Sequence, residues 1–187
     1  MTELVVLLVV VALIAAFLIV QYNGLVRSRN ETQNAWAQVD VVLRRRYDLV
    51  PNLVETVKGY AGHEKETLES VVKARQQAVD ASSVKDLAQA ENVLSGALRQ
   101  LFALSESYPD LKANQNFLSL QNELADLENK IAAARRFFNN AVSEYNTARE
   151  QFPAVILANS FGFNEADFFE VAANERAAVN AAPSVKF

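Results

Sequence analysis

From Leu4 to Val20 the chain carries only Leu, Val, Ile, Ala and Phe, with no charge, proline or glycine. At about 1.5 Å of rise per residue, that run sits at the lower limit for crossing a hydrocarbon layer of ~30 Å. Continuing through Gln21, Tyr22, Asn23, Leu25 and Val26 brings it to a full span, with Tyr22 where an amphipathic ring marks the membrane–water boundary. A cleaved signal peptide would need a basic stretch, a shorter apolar core and a small-residue cleavage site. Here Met1, Thr2 and Glu3 precede a long core, and Ala12, Ala15 and Ala16 lie inside it. A buried core helix is the plainer alternative, but a terminal helix apolar on every side is rarely that. We therefore expect one transmembrane anchor over residues 1–26. Ala12 and Ala16 form a small-xxx-small pair suited to helix packing in lipid.

The flanks bear on orientation. Glu3 precedes the run, whereas Arg27 and Arg29 come after it, with Arg44, Arg45 and Arg46 further on. Positive charge accumulates on the cytoplasmic side of spanning helices. The expected location is the bacterial cytoplasmic (inner) membrane in a single pass, with the bundle cytoplasmic; the periplasmic or extracellular side is the alternative. The chain has no cysteine, which fits either compartment.

Beyond the anchor the pattern is helical throughout. Five glycines and four prolines serve the whole chain, and the stretches between them are rich in strong helix formers with no sustained alternation. Trp36, Val39, Leu43, Val50, Leu53, Val57 and Tyr60 recur at spacings near three and four, and no stop signal separates them from the anchor. One helix is expected to run from membrane to soluble domain, coupling the two, with a kink at Pro51. A second arm starts near His63, with Leu68, Val72, Arg75 and Val79 on one face. It is interrupted at Asp80-Ala-Ser-Ser83, where Ser83 and Asp86 resemble a capping box, and continues through Leu87, Ala90, Leu94, Ala97, Leu101 and Leu104. In the third arm Phe117, Leu120, Leu124, Leu127, Ile131, Ala134, Phe138, Ala141, Tyr145 and Ala148 keep a heptad seam of coiled-coil type. The fold class is all-α: an N-terminal transmembrane helix continuing into an elongated antiparallel helical bundle.

Chemistry finds few footholds. His63 is the only histidine, and Thr67 stands where H-E-x-x-H would need the second. With no cysteine either, no catalytic residue, metal site or cofactor is expected. Paired carboxylates such as Glu64/Glu66 and Asp126/Glu128 read as solvated charge. A net charge of −4 argues against nucleic acid, and no small-molecule substrate is evident. Two interaction features remain. Arg44, Arg45 and Arg46 point in different directions on a helix; surface ion pairing is the plain reading, and contact with anionic headgroups or an acidic partner the sharper one. Phe161, Phe163, Phe168 and Phe169 concentrate aromatics after Pro153, either capping the bundle's open end or offering anchors to another subunit or the membrane.

The strings Arg46-Tyr-Asp-Leu-Val-Pro-Asn-Leu-Val-Glu-Thr-Val-Lys-Gly-Tyr60, His63-Glu-Lys-Glu-Thr67, Tyr108-Pro-Asp-Leu-Lys-Ala-Asn114, Leu118-Ser-Leu-Gln-Asn-Glu-Leu124, Ala132-Ala-Ala-Arg-Arg-Phe-Phe-Asn-Asn140 and Tyr145-Asn146 resemble the LemA family of bacterial membrane proteins. Phe152-Pro153, Phe161-Gly-Phe163 and Phe168-Phe169 extend the resemblance over nearly the whole chain. It implies an anchored helical bundle without catalytic residues. It also implies a role in membrane organisation, or beside a membrane protease near which some members are encoded.

These readings divide the chain into an anchor (1–26), a long-helix bundle (27–152), a Phe-rich capping or interaction segment (153–175) and a mobile C-terminal tail (176–187). They point to a non-enzymatic scaffold or assembly protein. Its expected partners are the lipid bilayer and further copies of itself, a homo-oligomer, and/or other membrane proteins. A signalling or protease-associated adaptor, working through the continuous anchor helix, is the alternative.

Overall fold

The computed structural model describes residues 1–170; the tail expected over 176–187, and the last part of the Phe-rich segment, lie outside the described residues. Among the described residues six helices occur in order: α1 Thr2–Ala61, α2 Lys65–Asp80, α3 Val84–Ser105, α4 Pro109–Lys112, α5 Gln115–Glu150 and α6 Ala154–Phe161. Among the described residues there is no strand, so the all-helical expectation holds. The anchor and first arm are one helix, α1, with Pro51 inside it. Its apolar window is wholly exposed and has the length and hydropathy to cross a membrane.

The breaks fall where local chemistry asks for them. Ser83 Oγ accepts from Asp86 N–H at 3.0 Å and donates to the Asp86 carboxylate at 2.6 Å, so the cap that opens α3 is real but runs through side chains rather than back to the Ser83 N–H. Asn114 caps α5, its Oδ1 accepting from Phe117 N–H at 3.0 Å. A single turn, α4, stands where only a stop was expected, with Pro109 in the first turn, where a missing N–H costs nothing.

The described residues fall into two compact units. The first joins Met1–Gln38 to Arg136–Asp167. Within it α1 and α5 run antiparallel: Thr32 Oγ1 donates to Ala141 O, and one turn on Trp36 meets the Phe138 ring at 5.1 Å. Leu25, Tyr145, Ala154, Ala158 and Phe163 form its core.

The second unit joins Val39–Arg135 to Phe168–Glu170. Arg45–Glu123 and Tyr60–Asn114 contacts set α1 and α5 antiparallel here too. Tyr108 reaches back to Glu64 at 2.9 Å, closing the α2–α3 hairpin. Val39, Leu43, Val50, Leu53 and Val57 of α1, Leu94 and Leu101 of α3, and Phe117 and Leu127 of α5 are fully buried.

One expected face needs correction. On α2, Val72 and Val79 are exposed, and Val71, Ala74 and Ala78 are buried with Leu68. Likewise Tyr60 is exposed while Ala61 is buried. Helices approach most closely where the contact residues are small, so alanine faces inward and the larger neighbour is left outside.

Candidate functional site

Successive helical residues point about 100° apart, so the three adjacent arginines of α1 meet three different surroundings. Arg44 Nε pairs with Asp40 at 2.9 Å, one turn back on an open surface. Arg45 Nη2 reaches Glu123 of α5 at 2.8 Å, also exposed. Arg46 is turned into the second unit and is only 3% exposed. Its Nη1 donates to Glu91 at 2.9 Å, and its Nη2 donates to Ser95 Oγ and meets Glu128, each at 2.9 Å. Tyr47 O–H donates to the other Glu91 oxygen at 2.5 Å, and Arg75 Nε donates to the Tyr47 carbonyl at 2.7 Å. Four helices thus meet at one polar node.

Burial governs the electrostatics of that node. Loss of water pushes the Glu91 carboxyl above its ordinary range; the Arg46 guanidinium and the Tyr47 hydroxyl pull it back only in part, and Glu128 adds to the rise. The Tyr47 phenol is pushed up by burial first and by Glu91 second, so it stays a donor at every physiological pH. Such a cluster resembles acid–base machinery in its titration behaviour, but its donors and acceptors are consumed by one another. A cleft of about 400 Å³ opens beside it, lined by Arg46, Ser95, Leu98, Phe102, Gln121 and Leu124 among others. His63 stands exposed at the α1–α2 turn. Among the described residues no His, Cys, Asp and Glu side chains gather as a metal-binding group.

The four phenylalanines part ways. In the first unit Phe163 is buried, its ring 5.6 Å from Tyr22 and 4.9 Å beneath the Arg29 guanidinium. Phe161 is exposed and meets Tyr22 edge to face at 5.2 Å. In the second unit Phe169 is buried and Phe168 exposed. The turn after α6 depends on Gly162, whose φ of +71° suits a residue without Cβ, with Phe163 N–H donating to Ala158 O at 3.0 Å.

Beyond that turn the chain is stitched to α5. Tyr145 O–H donates to Asn164 O at 2.8 Å, and Asn146 both donates to Ala166 O and accepts from Ala166 N–H at 3.0 Å. Asn146 thereby acts as a one-residue strand partner. Burial raises the Tyr145 phenol while Arg29 and Arg149 oppose it. Ala12 and Ala16 lie one turn apart on the exposed apolar run.

Glu91 was not singled out from the sequence, and Tyr47, Tyr145 and Asn146 entered only through the apolar seam or the family-like strings, without these contacts. For Glu91 a signal existed: it falls four residues after Leu87 and three before Leu94, a carboxylate flanking an apolar stripe. For the pairing of Asn146 there was none, because its partner is backbone.

The model of the LemA family matches residues 35–187. Protein LemA of Metamycoplasma hominis is 28% identical over a match covering 84% of this chain and 73% of the relative. Magnetosome protein MamQ 2 of Paramagnetospirillum magneticum is 27% identical, covering 86% and 68% respectively. Magnetosome protein MamQ of Magnetospirillum gryphiswaldense is 25% identical, covering 81% and 65%.

Proposed function

Because this chain belongs to the LemA family, we propose that it is a membrane-anchored, non-enzymatic scaffold that acts by protein–protein contact, self-association included. The observation that carries this reading is the internal use of the polar node. Arg46, Glu91, Ser95 and Tyr47 satisfy one another inside the second unit, so the side chains best suited to chemistry are committed to holding helices together. What remains for the outside is surface: an exposed apolar helix for the bilayer and exposed faces for partners. Relatives named as magnetosome proteins fit a part in building membrane-bound structures. Arg27 and Arg29 beside the apolar run support a cytoplasmic face for the rest of the chain; cleavage by a protease added to spheroplasts would argue for the opposite side.

Cross-linking in native membranes tests the scaffold reading. A ladder of homomeric species is expected. A single heterologous band without a ladder would support the adaptor reading instead, and turnover lost on changing Glu91 alone would revive an enzyme.

A further inference from the structure

Helix α6 is built inside out for a protein surface. Its small residues, Ala154 and Ala158, face the core with Leu25 and Leu157 packs partly against them, whereas the large apolar Ile156 and Phe161 lie outside. Phe152 just before it is 82% exposed, Ile156 58% and Phe161 61%. A helix resting in water places its large apolar residues inward and its small or charged ones outward. No charged residue occurs between Glu150 and Glu165; the exposed polar groups there, Gln151, Asn159, Ser160 and Asn164, are all uncharged, a composition suited to the interface between headgroups and acyl chains.

The position of α6 says what could cover it. Phe161 lies edge to face on Tyr22 at 5.2 Å, and Phe163 touches the same ring at 5.6 Å. Tyr22 is two residues, about 3 Å of axial rise, past the end of the Leu4–Val20 run. If that run crosses the hydrocarbon layer, Tyr22 stands at its boundary, and Phe161 stands at the same depth. The exposed face of α6 then continues the lipid-facing surface of α1.

We propose that α6 is a second membrane-contacting element, with Phe152, Ile156 and Phe161 seated among the headgroups and first acyl carbons of the leaflet that α1 enters. This rests on α1 spanning the bilayer. Interfacial helices bury their apolar face about 5–10 Å deep. Tyr145 and Asn146, which tie the segment after α6 to α5, hold α6 at that level. The ligand is phospholipid in general, since the face carries no charge to select a headgroup.

The chain contains no cysteine, so single nitroxide labels can be placed without background. Full-length Phe152→Cys, Ile156→Cys, Leu13→Cys and Gln89→Cys variants, reconstituted in phosphatidylcholine vesicles, would be compared for relaxation by lipid-soluble oxygen and by an aqueous nickel chelate. Labels at 152 and 156 are expected to fall between the other two, with oxygen relaxation raised and chelate relaxation strongly reduced relative to Gln89, and Leu13 at the extreme of that pattern. Chelate-dominated relaxation at 152 or 156, with Leu13 still oxygen-dominated, overturns the role of α6 and leaves the span intact. Shielding from both reagents means that protein, such as a second copy, covers the face, and overturns it equally. Chelate access at Leu13 would remove the span itself, and the inference with it.

Discussion

Arg46 shows how much one residue's setting decides. Two arginines beside it sit in solvent, where ion pairs contribute little, but Arg46 is enclosed with Glu91. Arg46→Met should destabilise the chain by about 3–5 kcal/mol, because Glu91 is left charged and unpaired. Arg44→Gln and Arg45→Gln should each cost under ~1 kcal/mol. Urea unfolding in detergent micelles would read both, and the double variant Arg46→Met with Glu91→Leu should recover most of the loss. The pH dependence has a definite sign. Glu91 in the folded chain holds its proton above the ordinary value of 4.5, so between that pH and its raised pKa the folded state binds more protons than the unfolded. Its contribution to stability therefore falls as pH rises through the window. The stability of the parent chain relative to Glu91→Gln should decline from pH 4.5 upward; a difference that grows with pH would contradict the burial argument.

At the scale of elements, caps and contact faces separate what was legible from what was not. The interruption at Ser83 was readable because a hydroxyl three residues before a carboxylate has few other uses, and Ser83→Ala should cost about 1 kcal/mol by thermal unfolding. The long seam of α5 was readable too, since Phe117, Leu124, Leu127, Ile131, Phe138 and Tyr145 are all buried. The face of α2 was not. Hydrophobic periodicity weights large side chains, whereas the buried face of α2 is carried partly by Ala74 and Ala78. Alanine is helix-forming wherever it stands, so its presence cannot announce a contact face. The same blind spot hid the orientation of α6. Gly162→Ala would force a left-handed backbone on a residue with a Cβ, costing about 1–2 kcal/mol, and should loosen the segment that ends at Phe163.

For the whole molecule, the order of helices and their antiparallel pairing within each unit could be read from three apolar stripes and the turns between them. The division at Gln38/Val39 and Arg135/Arg136 could not, because it cuts through two helices at points that no proline or glycine marks. The polar node was equally hidden: it gathers residues from α1, α2, α3 and α5 whose spacing in sequence carries no common signature. The anchor makes the simplest prediction at this scale. The first buried core residue is Leu25, so removing residues 2–20 takes nothing from either core. The shortened chain should keep the helical circular dichroism of residues 21 onward while losing carbonate-resistant membrane association.

The amide of Asn146 also bears on how the protein ages. It presents a donor and an acceptor to the same backbone residue, Ala166. Deamidation would keep the acceptor but replace the donor with a second anionic oxygen, turned against the Ala166 carbonyl. Half of the attachment would become a repulsion, without any change in side-chain size. A chain carrying Asp at that position would then be weakened at the tether of the segment after α6, while its helices and its polar node stayed as they were.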